Sequence, residues 1–214
     1  AEYSDAPMGL GNVSMVMMIN MAAYGAITAT TSISSTAATE KIQGWGRQLA
    51  LSGQSDWQYL LSKIVLSFIM AVVPTTMIYL VGYLMGAEGP VKGWVISYLC
   101  VVIGSAIFSL YGLVIGQLIR SDVAVSVATG LVVLLAFAGG LFTPLNETLY
   151  QIGEFTPLFG LGVISRWAVT EWEWIRPSGE IFQENLTHGI INAVAWIVIF
   201  LALSLWTVKR SRAR

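Results

Sequence analysis

Long stretches without a charged residue dominate the pattern of this sequence. Five of them lack Asp, Glu, Lys and Arg: Ala6–Thr39, Ile64–Ala87, Gly93–Ile119, Val123–Asn146 and Asn185–Val208. Each exceeds the roughly 20 apolar residues that a helix needs to cross about 30 Å of hydrocarbon. The pattern therefore predicts an all-α, polytopic membrane protein with a single transmembrane domain over residues 1–214. Its predicted spans lie at about 11–36, 57–85, 94–118, 123–141 and 187–208.

The charges between these runs predict which side faces the cytoplasm. If all five runs span, the connections and tail on one side hold eight basic and three acidic residues. The other side holds three basic and nine acidic residues. Because Lys and Arg are enriched in short cytoplasmic loops, the basic side is predicted to be cytoplasmic. The C-terminal tail, Lys209–Arg214, would then lie inside and residue 1 outside.

Composition agrees with a lipid environment. Hydrophobic residues make up 56% of the chain and charged residues 11%, whereas soluble domains carry about a quarter charged residues. A net charge of −1 argues against a nucleic-acid partner. The single cysteine, Cys100, excludes a disulfide framework within the chain and any metal site built from cysteine pairs.

The connection at about 40–52 has the pattern of a short amphipathic helix. Helical spacing places Ile42, Trp45 and Leu49 on one face and most of the charged side chains elsewhere. Ser55 and Gln58 then fit a capping box that opens the next span. The segment is predicted to be either a helix anchored at the inner surface or a docking helix for a cytoplasmic partner.

Two patterns predict how the spans pack. Thr28–Thr39 is rich in hydroxyl residues, which indicates either close helix contacts or a polar cavity lining. The small residues Gly112 and Gly116, four apart, allow two helix backbones to approach. Pro74 is expected to bend the second span.

The segment at about 144–184 is predicted to be a re-entrant pair of short helices on the outer side. Its apolar part, Phe155–Val169, is too short to span, and Pro and Gly residues interrupt the segment. His188 opens the last span and is interpreted as an interfacial histidine. Ala1 is not an initiator Met, so we expect a preceding helix or a cleaved signal.

Chemical motifs are missing from the sequence. No charged residue lies in the middle of a predicted span, which disfavours coupling to an ion gradient. The chain has no phosphate-binding Gly-rich loop, no His-Glu-x-x-His motif and no Ser/His/Asp set. We therefore expect a protein that is not an enzyme and binds no metal or cofactor. Energy for any work on a substrate must come from another polypeptide.

The ordered motifs resemble those of a known family. Glu40–Ser52, followed by Trp57–Leu61 and Lys63, is similar to the signature of permease subunits of ABC-2 type ATP-binding-cassette exporters. Gly139–Leu145 and the segment after it resemble the end of that family's fifth helix and its outer re-entrant hairpin. The resemblance covers essentially the whole chain and includes the drug-efflux and antibiotic-efflux permeases.

The resemblance implies a six-helix subunit of which this chain matches helices two to six. It implies a homodimer or heterodimer of permeases in a bacterial plasma membrane, and a cytoplasmic ATPase subunit that binds ATP and Mg²⁺. The residues expected to couple to the ATPase are Glu40, Lys41, Gly44, Trp45, Arg47 and Leu49. Those expected along the substrate path are Asn20, Tyr24, Thr28 and Phe137. Those expected at an outer re-entrant gate are Phe142, Phe155 and Pro157.

Two functions remain open at this point. The leading hypothesis is an export permease for an amphiphilic drug, lipid or peptide, since the predicted path is largely apolar. The alternative is a non-transporting structural or immunity-type membrane component, which its inner amphipathic helix anchors. Copurification of an ATPase discriminates between them.

Overall fold

Helices account for most of the structure, a computed structural model that describes residues 5–36, 40, 53, 55–119, 121, 123–171, 173–175 and 181–212. The helices are α1 Val13–Ser35, α2 Asp56–Leu84, α3 Val91–Ala106, α4 Phe108–Leu118, α5 Ala124–Ala138, α6 Glu147–Gly153, α7 Pro157–Thr170 and α8 Leu186–Arg212. The strands form two antiparallel pairs, β1 Pro7–Met8 with β2 Gly11–Asn12 and β3 Glu173–Ile175 with β4 Ile181–Gln183.

Four helical stretches within the described ranges are long and apolar enough to cross a membrane. They are Val13–Ser35, Trp57–Leu84, Val91–Leu118 and Leu186–Thr207. The third comprises α3 and α4, which a turn at Ile107 separates. The apolar helix α5 has 15 residues, fewer than the roughly 20 of a full crossing. The prediction of a mostly helical, multi-pass chain is confirmed.

The central element of the bundle is α1. It packs against α2, α3, α4, α5 and α7, and most of its side chains are buried. By contrast, α2 and α8 expose most of their apolar side chains, as expected for helices that face lipid.

The α1 and α4 helices approach each other at backbone distance. A Cβ atom on Gly112 would lie 2.5 Å from the carbonyl oxygen of Thr31, and one on Gly116 would lie 2.5 Å from that of Ser35. Both distances are well inside van der Waals contact, so a larger residue would push the helices apart. The close helix contact that the Gly-x-x-x-Gly spacing predicts is confirmed.

Hydroxyl groups in the second half of α1 connect it to its neighbours. The Ser34 and Ser67 hydroxyls lie 3.0 Å apart across the α1–α2 contact. Thr30 donates a 2.9 Å hydrogen bond to the carbonyl of Ser105 in α3. Of the two interpretations of this hydroxyl-rich stretch, these contacts support close helix packing for Thr30 and Ser34.

The start of α2 is fixed by the predicted capping box. The Ser55 hydroxyl accepts from the Gln58 amide at 3.3 Å, and the Gln58 side chain accepts from the Ser55 amide at 2.8 Å. The helix continues through Pro74. The next residue, Thr75, donates from its hydroxyl to the carbonyl of Ala71 at 2.7 Å, as hydroxyl residues commonly do in membrane helices.

A glycine-to-alanine comparison tests the α1–α4 contact. We expect Gly112→Ala to destabilise the folded chain by about 1–3 kcal/mol, because the new methyl group overlaps the Thr31 carbonyl. The matched control is Gly130→Ala in α5, where a Cβ would meet no atom within 4 Å. Both changes gain the same helix propensity. Thermal unfolding in detergent measures the difference, and equal melting temperatures for the two variants would contradict the close contact.

Candidate functional site

The N-terminal end of α1 is a junction of three chain segments. The Asn12 side chain caps α1 by accepting from the Met15 amide at 2.9 Å, and it also accepts from the Glu88 amide at 3.0 Å. Its amide group donates to the Gly86 carbonyl at 2.8 Å. The Leu10 amide donates to the carbonyl of Val169 in α7 at 2.8 Å. One asparagine thus holds the α2–α3 turn against the start of α1, and the neighbouring backbone holds α7.

A partly buried ion pair lies beyond the opposite end of α1. The Lys63 ammonium group of α2 bonds to the Glu40 carboxylate, and the Tyr59 hydroxyl donates to the other oxygen of that carboxylate at 3.2 Å. The Lys63 side chain is 8% exposed and the Glu40 side chain 32%. The Lys63 ammonium nitrogen also lies 5.7 Å from the centre of the Tyr59 ring. Glu40, predicted to contact an ATPase, has its described contacts within this chain.

The other predicted coupling residues lie outside the described residues. They are Lys41, Gly44, Trp45, Arg47 and Leu49. Their role stays a prediction from the sequence.

Three of the predicted path and gate residues form one aromatic cluster. The rings of Tyr24 and Phe142 meet edge to face with centroids 4.8 Å apart, and those of Phe137 and Phe142 do the same at 4.8 Å. Gly140, at φ +72°, adopts the left-handed turn that brings the chain back after α5. The cluster therefore joins α1 to the end of α5, and Phe137 leaves about half of its surface exposed.

The face of α1 that carries Tyr24 is a narrow, partly exposed stripe. Met17 is 51% exposed and Met21 37%, whereas Tyr24 and Thr28 are half-buried. These four positions, at spacings of four, three and four residues, lie on one side of a helix. Tyr24 and Thr28 are among the path residues predicted from the sequence. The two methionines are not, although their helical spacing from Tyr24 is a usable signal.

Asn20, unlike the residues of this stripe, is buried. Its side chain is 4% exposed and sits in the interior of the bundle. Within the described residues its carbonyl oxygen has no hydrogen-bond partner. The structure thus leaves Tyr24, Thr28 and Phe137 partly exposed and buries Asn20 in the bundle.

The predicted re-entrant segment contains two short helices, α6 and α7, that α8 holds at their connecting turn. Asn192 of α8 donates to the carbonyls of Glu154 at 2.7 Å and Thr156 at 3.1 Å, and accepts from the Gly160 amide at 3.1 Å. The Trp196 indole donates to the Phe155 carbonyl at 3.1 Å. These bonds give hydrogen-bond partners to carbonyls of the turn, which an apolar environment requires.

Two of the three predicted gate residues, Phe155 and Pro157, lie at this turn, whereas Phe142 belongs to the aromatic cluster. Phe155 is 79% exposed, whereas Pro157 is buried at the first position of α7. Pro157 suits that position because its ring presets the helical backbone angle. The helices α7 and α8 cross closely, since a Cβ on Gly160 would lie 2.6 Å from the Gly189 carbonyl oxygen.

A buried ion pair fixes the far end of α7. Arg166 makes two hydrogen bonds to the Glu184 carboxylate just before α8, one of them from its Nε at 2.8 Å. Both side chains are 2% exposed. Removing one member of such a pair leaves an uncompensated buried charge. The helix α7 is therefore held near both of its ends, by α8 at the α6–α7 turn and by Glu184, just before α8, near its C-terminal end.

The polar groups of the described residues do not assemble a metal site. No cluster of three or more His, Cys, Asp or Glu side chains there could hold an ion. His188 has its Nδ1 3.7 Å from a Glu154 carboxylate oxygen, and both side chains are partly exposed. The arrangement offers packing, aromatic and ion-pair contacts.

Several apolar helices of membrane-crossing length, packed through small and hydroxyl residues, define a multi-pass membrane protein. The family described as "ABC-2 family transporter protein" matches residues 5–208, and the chain belongs to this family. It is therefore a transporter membrane subunit, as the motif around Glu40 and Lys63 predicted. Permeases of this kind are not themselves catalytic and work with an ATPase partner.

One curated relative supports the assignment. The chain is 25% identical over 179 residues to the protein of Bacillus subtilis (strain 168) named "Putative transport permease YvfS". That alignment covers 81% of this chain and 68% of the Bacillus protein. No solved structure matches the chain significantly.

The buried pair in α7 can be tested by comparing single and paired substitutions. We expect Arg166→Met alone to destabilise the chain by about 3–5 kcal/mol, because Glu184 is left charged and buried. Replacing both residues, as R166M/E184L, removes both charges and should restore most of the loss. Thermal unfolding in detergent reports both effects. A paired variant as unstable as the single one would contradict the ion-pair assignment.

Proposed function

We propose that this chain is the transmembrane permease subunit of an ATP-driven exporter. Its membership of the ABC-2 transporter family carries this proposal. The lack of a phosphate-binding motif in its sequence supports a separate ATPase subunit as the site of ATP and Mg²⁺ binding. A second permease subunit completes the assembly in the plasma membrane.

The substrate path in this proposal follows the exposed stripe of α1. Met17, Met21 and Tyr24 present apolar and aromatic surface beside Phe137 and Phe142. Methionine and aromatic side chains suit ligands of varied shape, because thioethers adapt and rings offer flat apolar faces. This composition supports an amphiphilic drug, lipid or peptide as cargo rather than a long hydrophilic glycan.

The α6–α7 pair is the proposed cover of the path on the outer side. Its bonds to Asn192, Trp196 and Glu184 tie it to α8. Because three separate contacts hold it, the pair is expected to move together with α8 rather than to swing alone. Phe155, at its turn, offers the exposed apolar edge of this cover.

In this proposal, the ATPase drives movement of the permease through the segment at about 40–52 on the cytoplasmic side. Its apolar face, with Trp45 and Leu49, would fill a groove on the ATPase, and Lys41 and Arg47 would fix its orientation. The basic tail, Lys209–Arg214, lies on the same side in this proposal, which follows the charge asymmetry of the connections.

Substitutions within the segment test this coupling. We expect Leu49→Asp and Gly44→Asp to lower the chain's stimulation of ATP hydrolysis at least about tenfold, because a charge placed in a buried interface is costly. The measurement is ATP hydrolysis by a candidate ATP-binding-cassette ATPase that is coexpressed with the chain.

The matched control is Gln43→Asp, which adds the same charge to the polar face of the same segment. It should keep most of the stimulation, and all three variants should still insert into the membrane. Full stimulation by Leu49→Asp would contradict the coupling role. A wild-type chain that never brings down this ATPase would instead support the non-transporting alternative.

A further inference from the structure

We infer that the cluster of Glu40, Lys63 and Tyr59 is an anchor that passes movement of the adjoining coupling segment into α2. The inference rests on the proposed function. It changes the role of Glu40, which the sequence analysis placed among the residues that contact the ATPase. Glu40 and Lys63 are positioning residues in this account, since they act through the segment between Glu40 and Ser55.

The residues at both ends of the coupling segment contact the same helix, α2. Glu40, at its start, bonds to Lys63, which lies two turns into α2. Ser55, at its end, caps α2 through reciprocal hydrogen bonds with Gln58. Glu40 and Ser55, which flank the segment, therefore both contact the first two turns of α2. A force on the segment would act on α2 at these two points.

The ammonium group of Lys63 in the anchor is buried. The Lys63 side chain is 8% exposed, and a buried ammonium group needs a partner because water no longer solvates it. The Glu40 carboxylate supplies that partner and also accepts the Tyr59 hydroxyl at 3.2 Å. Separating Glu40 from α2 would leave Lys63 charged and buried. The start of the segment is thus fastened to α2.

The described hydrogen bond between α1 and α2 nearest to the anchor joins two neutral groups. One turn beyond Lys63, the hydroxyls of Ser67 and Ser34 lie 3.0 Å apart. A hydrogen bond between neutral hydroxyls is weaker than one between charged groups. The bond from the coupling segment to α2 is therefore stronger than the bond from α2 to α1 at this level. The ion pair therefore gives the segment a direct link to α2, beside its chain connection to α1, where the Glu40 amide donates to the Thr36 carbonyl at 3.0 Å.

The inference predicts that an uncharged anchor uncouples the complex without unfolding it. The apolar pair E40L/K63M removes both charges together, so it should keep a melting temperature near that of the wild type. It should still copurify with the coexpressed ATPase, because the apolar face of the coupling segment is unchanged. Its stimulation of ATP hydrolysis should fall at least about fivefold, the lower end of typical coupling between sites.

Charge reversal is the second arm of the experiment. Lys63→Glu alone places two carboxylates together and should abolish stimulation, whereas E40K/K63E restores an ion pair with its sign exchanged. We expect the paired variant to recover at least half of the wild-type stimulation. Lys63→Arg, which keeps the charge, should also retain it. A role in stability alone would make stimulation follow the melting temperature across all four variants.

The outcomes separate this inference from the proposed function. If the wild-type chain stimulates the ATPase and E40L/K63M does so equally, the anchor is refuted and the permease assignment stands. If E40K/K63E stays as inactive as Lys63→Glu, the ion pair is refuted as the operative contact. If the wild-type chain neither binds nor stimulates the ATPase, the proposed function fails and the inference fails with it.

Discussion

The backbone contact between α1 and α4 is the constraint around which the rest of the described structure is arranged. Lipid tails are as apolar as leucine side chains, so burial alone does not draw two helices together in a membrane. Close packing and interhelical hydrogen bonds must do so. Gly112 and Gly116 allow the α4 backbone to reach Thr31 and Ser35 of α1. Once α4 is seated there, α1 becomes the centre of the bundle.

The central position of α1 gives its two ends different tasks. At its start, Asn12 joins the α2–α3 turn to α1 with short hydrogen bonds. Past its other end, Glu40 reaches α2 through an ion pair. Between them, the stripe from Met17 to Thr28 is the part of α1 that the described neighbours leave partly uncovered. In the proposed exporter this stripe borders the substrate path. The contact between Glu40 and Lys63 receives the movement of the coupling segment.

Local patterns explain what the sequence could predict. The apolar runs, the Ser55 capping box and the glycine spacing at Gly112 each depend on residues within a few turns of one another. The family match confirms the class that the motif from Glu40 to Lys63 indicated. In each case the physical cause lies in one short stretch of chain, which a single sequence displays directly.

Pairings between distant segments explain what the sequence could not predict. The Arg166–Glu184 bond spans 18 residues and the bonds of Asn192 to the α6–α7 turn span more than 30. The aromatic cluster required Tyr24 and Phe142 to meet across most of the chain. Likewise, periodicity alone did not show that Asn20 faces the interior while Tyr24 and Thr28 lie near the surface.

The proposed function places the segment after Glu40 against a separate ATPase and the opposite end of the bundle away from it. A photo-crosslinking amino acid at position 49 of the full chain, coexpressed with a candidate ATP-binding-cassette ATPase, checks this placement. The matched probe replaces Leu84, which is 74% exposed at the far end of α2. The account predicts a covalent adduct with the ATPase from position 49 and none from position 84. An adduct from position 84, or none from position 49, would contradict it.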